Sequence, residues 1–373
     1  MPAISVLIKP ASSLCNLRCK YCFYHAIAEN RETACYGLMS EEVLEQVIIK
    51  VLDFADGLAT FSFQGGEPTM CGLNFFRKVV ELQKKYNRKN IRINNCLQTN
   101  GTLLDEEWVK FLADNRFLVG LSLDGPDYIH NEYRVDAEGK GTHERVMETV
   151  RLFDKYKVEY NILFVVNSAN SKKPERLYNY FKENGFNFLQ FIPCIDPEGY
   201  ARESFDFSLT NARFVTFLKG FFDKWYNDIS KNVEVSVRYF DNLVRIAMGM
   251  GPETCSMLGS CRCQFVFEAD GSVYPCDFYV TDEWQMGNIA DMSIQEMFES
   301  VNSQRFIHSS MRVEKECGEC KWYRLCRGGC RRDRQDNLTG ELGVNTYCSA
   351  YKEFFEYAYE RIVKLANKFR PVR

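Results

Sequence analysis

Histidine is scarce in this chain, with four among 373 residues. Mixed Cys/His zinc sites are therefore not expected. The opening stretch MPAISVLIKPASS lacks a basic segment followed by a sustained apolar run, so it does not read as a signal peptide. No apolar stretch approaches the ~18 residues of a membrane span. Neither sign of charge dominates: the net charge is −3 and the pI about 6.0, which gives no polyanion-binding surface. There is no internal repeat, no low-complexity tract and no Pro- or Ser-rich linker. These absences predict a cytoplasmic protein with no nucleic-acid or membrane partner, in a compartment where thiols stay reduced.

Cysteine, by contrast, is abundant, with 16 residues. In a reducing compartment, tightly spaced cysteines point to metal rather than to disulfides. With so little histidine, all-thiolate sites remain, either zinc or iron–sulfur clusters. Hydrophobic residues make up 46% of the chain, enough for a sizeable core, and the length fits one large domain with a smaller appendage.

Residues 1–200 alternate strand-like and helix-like segments. SVLIKP (5–10), ATFSFQ (59–64), IRINNCLQTN (91–100), FLVGLSLDG (117–125), NILFVVNS (161–168) and FNFLQFIP (186–193) read as strands. Helical periodicity falls between them, at 41–55, 73–86, 106–115, 143–157 and 173–184. Six strands alternating with helices predict an α/β fold, either a parallel barrel or an open sheet. Another helix is expected around ARFVTFLKGFFDKWY, followed by a short linking region. From 255 to 348 the composition shifts: nine cysteines mix with Gly and charge. FVFEADGSVYPC (265–276) reads as a hairpin turning at Asp270-Gly271, and 349–368 as an amphipathic helix.

The first cysteines, Cys15-x3-Cys19-x2-Cys22, directly follow the first strand. In a parallel α/β fold this is the carboxyl edge, where active sites collect. Three thiolates can hold three irons of a [4Fe–4S] cluster and leave the fourth open to a small ligand. The competing reading is a zinc knuckle completed by Cys35 or another distant thiol. With aromatic Tyr21 and Phe23 flanking Cys22, the motif resembles the radical S-adenosylmethionine (SAM) signature. Gly65-Gly66-Glu67-Pro68 follows the second strand, at the point where that family carries its amino-group-binding motif. Alone, such a turn would be ordinary.

The resemblance implies that Gly65, Gly66 and Glu67 bind the SAM ammonium. It implies that Ser122 and Arg134 contact the ribose and carboxylate, that Ile195 packs on the adenine, and that Tyr21 belongs to the cofactor-binding set. It also implies a 5′-deoxyadenosyl radical that takes a hydrogen atom from a bound substrate, the cofactor supplying the hard chemistry and the protein the placement.

The C-terminal cysteines, Cys261-x9-Gly271-x4-Cys276 and then Cys317-x2-Cys320-x5-Cys326-x3-Cys330 and Cys348, resemble the SPASM extension of radical SAM enzymes. Carried over, Cys255, Cys261, Cys276 and Cys330 would hold one auxiliary [4Fe–4S] cluster. Cys317, Cys320, Cys326 and Cys348 would hold another. Four protein ligands each suits electron transfer rather than substrate binding. Cys263 rivals Cys261, although the distance to Gly271 favours Cys261, and Cys317 to Cys330 alone could be a zinc ribbon. Cys35, Cys71, Cys96 and Cys194 read as buried small apolar residues. The basic run Arg327 to Arg334 reads as packing beside a cluster and a docking site for an acidic electron donor, with RNA binding the alternative. The expected division is 1–232 for a partial (β/α)6 barrel of the radical SAM kind and 233–373 for the SPASM domain and C-terminal helix.

Over nearly its whole length the sequence resembles the anaerobic sulfatase-maturating enzymes, from LIKPASSLCNLRCKYCFY through SFQGGEPT, LQTNGTLLDEEW, VGLSLDGP, SVRYFD and GSVYPCDFYV to YCSAYKEFFEYAYERI. That family oxidises one Cys, in some members Ser, of a sulfatase to Cα-formylglycine. The resemblance implies three [4Fe–4S] clusters, SAM, a sulfatase polypeptide carrying Cys-x-Pro-x-Arg, and a ferredoxin- or flavodoxin-type electron donor. It makes Asp277, directly after Cys276, the base for the substrate thiol or hydroxyl. A thiol near pKa 8.5 and an Asp near 3.9 differ by ~4.6 units, ~6 kcal/mol uphill, so Asp277 is expected to act after the Cβ hydrogen has gone. Tyr24, Gln64, Gln98 and Asn100, at strand ends beside the SAM site, are expected to orient peptide or SAM. A peptide maturase forming thioether or carbon–carbon links is the rival enzyme. Its leader-binding domain would precede the barrel, and Cys15 is expected to lie too near the N-terminus for one. An iron–sulfur carrier or zinc protein is the rival outside catalysis.

Overall fold

The computed structural model describes residues 3–370. They divide into two compact units, each discontinuous along the chain. The first takes residues 3–122, Arg134–Tyr160 and Arg262–His308. The second takes Leu123–Tyr133, Asn161–Cys261 and residues 309–370.

The first unit is built on β1 (Ile4–Ile8), β2 (Leu58–Phe63), β3 (Arg92–Thr99) and β4 (Leu118–Ser122), each parallel to the next. The helices between them follow from sequence. Ser40 caps Glu41–Phe54 by accepting from the Val43 amide, and Glu41 and Glu42 occupy the positive first turn. Leu44, Val47, Ile48 and Val51 of that helix repeat at helical spacing and are buried. In the second unit, β5 (Tyr160–Val166), β6 (Phe188–Pro193) and β7 (Ser236–Val237) are also parallel. There Asn211–Ser230 packs on the C-terminal helix Cys348–Phe369, with Phe222 and Phe354 ring centroids 5.5 Å apart.

The expected hairpin is present as β8 (Val266–Phe267) and β9 (Ser272–Tyr274), with Gly271 in the left-handed region at φ 87°. The sequence did not indicate where it attaches. β8 pairs with β1 in parallel, Leu7 opposite Val266 and Ile8 opposite Phe267, and β10 (Gly287–Asn288) extends the ribbon antiparallel to β9. The hairpin thus covers an edge of the first sheet and brings Asp277 to the same unit as the first cysteines. The region expected as a link after Asn211–Ser230 contains the helix Arg238–Ala247, which buries Phe240, Leu243 and Val244.

Candidate active site

The loop after β1 carries Cys15, Cys19 and Cys22, all half-buried. Cys22 stands at the N-cap of the short helix Phe23–Glu29, which places Tyr24 in its first turn. The Leu17 amide donates to Cys15 Sγ at 3.3 Å. Burial pushes the Cys15 thiol up to about 11, and the Cys22 thiol upward too. A group that accepts thiolates, taking the place of the protons, suits such a site.

The Gly65-Gly66-Glu67 turn after β2 packs against this loop. Gly65 and Gly66 have φ of 97° and 54°. A Cβ on Gly66 would lie 2.2 Å from the Leu14 carbonyl oxygen, so only glycine lets the turn approach, and the Glu67 amide donates to that same oxygen at 2.7 Å. Glu67 is buried. Its Oε1 accepts from the Thr69 amide (3.1 Å), Thr69 Oγ1 (2.7 Å) and Thr99 Oγ1 (2.7 Å). Its Oε2 accepts from the Asn100 amide at 2.7 Å. With about two acceptor sites per carboxylate oxygen, Oε2 retains one for a further donor such as an ammonium.

Asn100 Nδ2 donates to Asn16 Oδ1 at 2.9 Å and lies 3.9 Å from Cys15 Sγ, while its Oδ1 accepts from Thr102. Asn100 thus braces the cysteine loop. Gln98 Nε2 donates to Ser122 Oγ at 3.2 Å. Gly120 makes room for that amide, since a Cβ there would sit 2.1 Å from Gln98 Oε1. Arg134 is buried with its guanidinium 5.4 Å from the centre of the Tyr21 ring. Ile195 lies in the second unit, two residues past β6, and is half-buried.

Asp277 joins Tyr24 and Gln64 in one constellation. Tyr24 Oη donates to Asp277 Oδ2 at 2.5 Å, and Gln64 Nε2 donates to the same oxygen at 3.0 Å and to Tyr24 Oη at 2.8 Å. Asp277 Oδ1 is buried and has no hydrogen-bond partner among the described residues. Burial raises the Asp277 pKa above the usual carboxylate value, against the opposing pull of Lys9 and Tyr24.

In the second unit, Cys317, Cys320, Cys326 and Cys348 line one cavity, walled by Trp322, Tyr323, Tyr351 and Phe355. The spacing places Cys317 and Cys326 on two short helices and Cys348 at the start of the C-terminal one. Cys255, Cys261 and Cys330 form a second group in that unit, each within electrostatic range of another. Cys276 belongs to the first unit. Cys263, the rival of Cys261, faces Met286, Sγ to Sδ 3.6 Å, and Ser303 instead.

A model of the radical SAM superfamily matches residues 10–198, and one of the SPASM iron–sulfur cluster-binding domain matches 258–328. The cysteine-type anaerobic sulfatase-maturating enzyme of Clostridium perfringens is 52% identical over 370 residues, covering 99% of this chain and all of that one. The chain belongs to the anaerobic sulfatase-maturating enzymes. The family member of Clostridium novyi is 46% identical, covering 98% of each chain. A solved structure of native anSMEcpe with bound AdoMet and Cp18Cys peptide matches with a TM-score of 0.95 at 51% identity, over 99% of this chain and all of that one. The fold is accordingly the partial (β/α)6 barrel with SPASM extension that the sequence predicts. SAM and three [4Fe–4S] clusters come with membership of this radical SAM, SPASM-bearing family. The residues fit two of those clusters: three thiols on the first loop, and four around one cavity.

Two expectations for this enzyme are corrected. Arg331, Arg332 and Arg334 are buried and bonded within their own unit, to Ser309, to Asn337 and the Asp196 carbonyl, and to the Arg312 and Ser310 carbonyls. They pack the cysteine field, as expected, and with their charged ends engaged these three offer no docking face, whereas Arg327 of the same run is half-buried. Cys35 is not a buried apolar residue. Burial pushes its pKa up, but hydrogen bonds from Ser13, Gly37 and Ser12 outweigh that and lower it. Cys194 is buried as expected, while Cys71 and Cys96 are half-buried.

Proposed function

We propose that the enzyme oxidises one cysteine of a sulfatase polypeptide to Cα-formylglycine, with Asp277 as the base. The observation that carries this reading is the unpartnered Oδ1 of a buried Asp277, held through Oδ2 by Tyr24 and Gln64 beside the cysteine loop. Cys15, Cys19 and Cys22 would hold the cluster that carries SAM, and Glu67 Oε2 would accept from the SAM ammonium. Ser122, Arg134, Tyr21 and Ile195 would contact the rest of SAM. Cys255, Cys261, Cys276 and Cys330 would hold one auxiliary cluster. Cys317, Cys320, Cys326 and Cys348 would hold the other.

When bound, SAM and its cluster supply a radical that removes one Cβ hydrogen, and the auxiliary clusters supply a sink for the electron that leaves afterwards. The chain's own part is proton handling and placement. Oδ1 of Asp277 takes the thiol proton, and the resulting thioaldehyde exchanges sulfur for water oxygen, releasing hydrogen sulfide. The raised pKa of Asp277 narrows the gap to a thiol, since a buried carboxylate gains more from a proton than an exposed one. Tyr24 and Gln64 keep Oδ2 occupied, so Oδ1 is the oxygen left for substrate.

The enzyme would work in the cytoplasm with a ferredoxin- or flavodoxin-type donor. No disulfide joins the cysteines among the described residues, which suits a reducing compartment. Among the described residues no helix is long and apolar enough to cross a membrane.

The test is anaerobic turnover of a Cys-x-Pro-x-Arg peptide with SAM and reductant, read by mass spectrometry. Formylglycine with matching 5′-deoxyadenosine is expected. Asp277→Asn should still release 5′-deoxyadenosine but lose formylglycine by about a hundredfold or more, the order of a general-base contribution. Intact coupled turnover by that variant would remove Asp277 from the mechanism.

A further inference from the structure

Three buried charges, Lys9, Arg31 and Glu268, cluster in the first unit and take no part in the steps above. Lys9 follows β1 and its side chain is 2% exposed, with its ammonium 2.7 Å from Glu268 Oε1. Arg31 Nη1 donates to the same oxygen at 2.7 Å, and the Glu268 side chain is fully buried. Burial pushes the Glu268 carboxyl up, but Lys9 and Arg31 outweigh that and hold it below its ordinary value. A buried ion pair is weak evidence for stability, because desolvation costs about as much as the attraction returns. Its place beside Tyr24 calls for another reason.

Lys9 provides one, because it touches three functional segments at once. Its ammonium lies over the Tyr24 ring, 5.4 Å from the centroid. Its aliphatic stem supports the SAM-binding turn: a Cβ on Gly65 would lie 2.6 Å from Lys9 Cγ and Cε. Its ion pair and its backbone amide, which donates to the Phe267 carbonyl at 2.8 Å, hold the β8–β9 hairpin that leads to Asp277.

We infer that Lys9 is a positioning residue for the reaction, keeping the SAM-binding turn and the Asp277 segment in register so that hydrogen abstraction and proton removal act on the same bound cysteine. This rests on the assignment of Asp277 as base. Misplacement of a reacting group by ~1 Å costs up to about a hundredfold, so loss of register separates the two events rather than stopping both.

The test uses Lys9→Met, which keeps the stem and removes the charge, in reconstituted holoenzyme with the Cys peptide. 5′-Deoxyadenosine and formylglycine are measured together with iron content. We expect near wild-type 5′-deoxyadenosine and about tenfold less formylglycine, so that the ratio of the two rises about tenfold. The KM for SAM should hold. Glu268→Gln should reproduce the uncoupling, and Lys9→Ala should also raise the KM for SAM because Gly65 loses its support. If Lys9→Met does not accumulate as folded holoenzyme, Glu268→Gln decides alone. A wild-type ratio in these variants, with both rates intact or both falling in parallel, overturns the inference. Asp277→Asn run alongside separates the two ideas: coupled turnover there removes the base assignment, whereas its loss beside a wild-type ratio in Lys9→Met removes only the role of Lys9.

Discussion

Glu67→Gln is a sharp perturbation because the two carboxylate oxygens have different partners. Oε1 accepts from the Thr69 amide and two threonine hydroxyls, and Oε2 from the Asn100 amide. A Gln amide must place its NH2 on one side or the other. The hydroxyls can rotate to accept from it, but the backbone N–H groups cannot. Either the Thr69 or the Asn100 amide is then left facing a donor in a buried site. An unsatisfied buried N–H costs about 1–3 kcal/mol, and losing the carboxylate charge weakens the remaining bonds, so about 2–4 kcal/mol of stability should go. The SAM ammonium should lose a charge-assisted bond of about 1.5–3 kcal/mol, which weakens SAM binding about 10- to 140-fold. Thr99→Val is the internal control. It removes one donor from Oε1 while leaving Oε2 as it was, so it should lower stability without moving SAM affinity. Thermal unfolding and equilibrium SAM binding, both under anaerobic conditions, read the two effects. Wild-type SAM affinity in Glu67→Gln would show that Oε2 does not face the ammonium. Unchanged stability would contradict the hydrogen-bond arrangement itself.

Cys348→Ser should remove the iron and sulfide of one cluster while two remain, measured by metal and sulfide content after reconstitution. Loss of zinc instead would mean that the four-cysteine cavity is a zinc site. A pH effect is expected from Asp241, whose pKa burial raises to about 6 against the hydrogen bond from Ser236. The folded state then holds a proton that the unfolded chain has released above about pH 4. Its contribution is complete below that pH and is lost as pH rises through about 6. Asp241→Asn should flatten this fall in denaturant titrations across that window, and an unchanged slope would show that Asp241 is not the group responsible.

The strand and helix pattern could be read from sequence because it rests on local periodicity. The segments at 41–55 and 106–115 fold as Glu41–Phe54 and Glu106–Asp114, each with its cap and its apolar face in place. Elements with weaker local signals escaped. Phe23–Glu29 has seven residues, too few to display a period, and Arg238–Ala247 follows a strand of two residues. The basic run before Cys348 was legible only in part, its packing role but not the burial of its charges, for a related reason. Charge is visible in sequence, but whether Arg331, Arg332 and Arg334 face water or bond to nearby carbonyls depends on what folds around them.

The spacing Cys15-x3-Cys19-x2-Cys22 and the glycines before Glu67 are short-range features, so the sequence alone determined that a three-thiol loop and a Gly-Gly-Glu turn exist and follow successive strands. The meeting of Tyr24 with Asp277, 253 residues apart, and of Lys9 with Glu268 was decided only by the tertiary structure. Strand pairing of β8 with β1 is a non-local contact that no local pattern encodes. It brings two distant segments together because an exposed sheet edge must be covered. The contact of Tyr24 and Gln64 with Asp277 follows from that pairing.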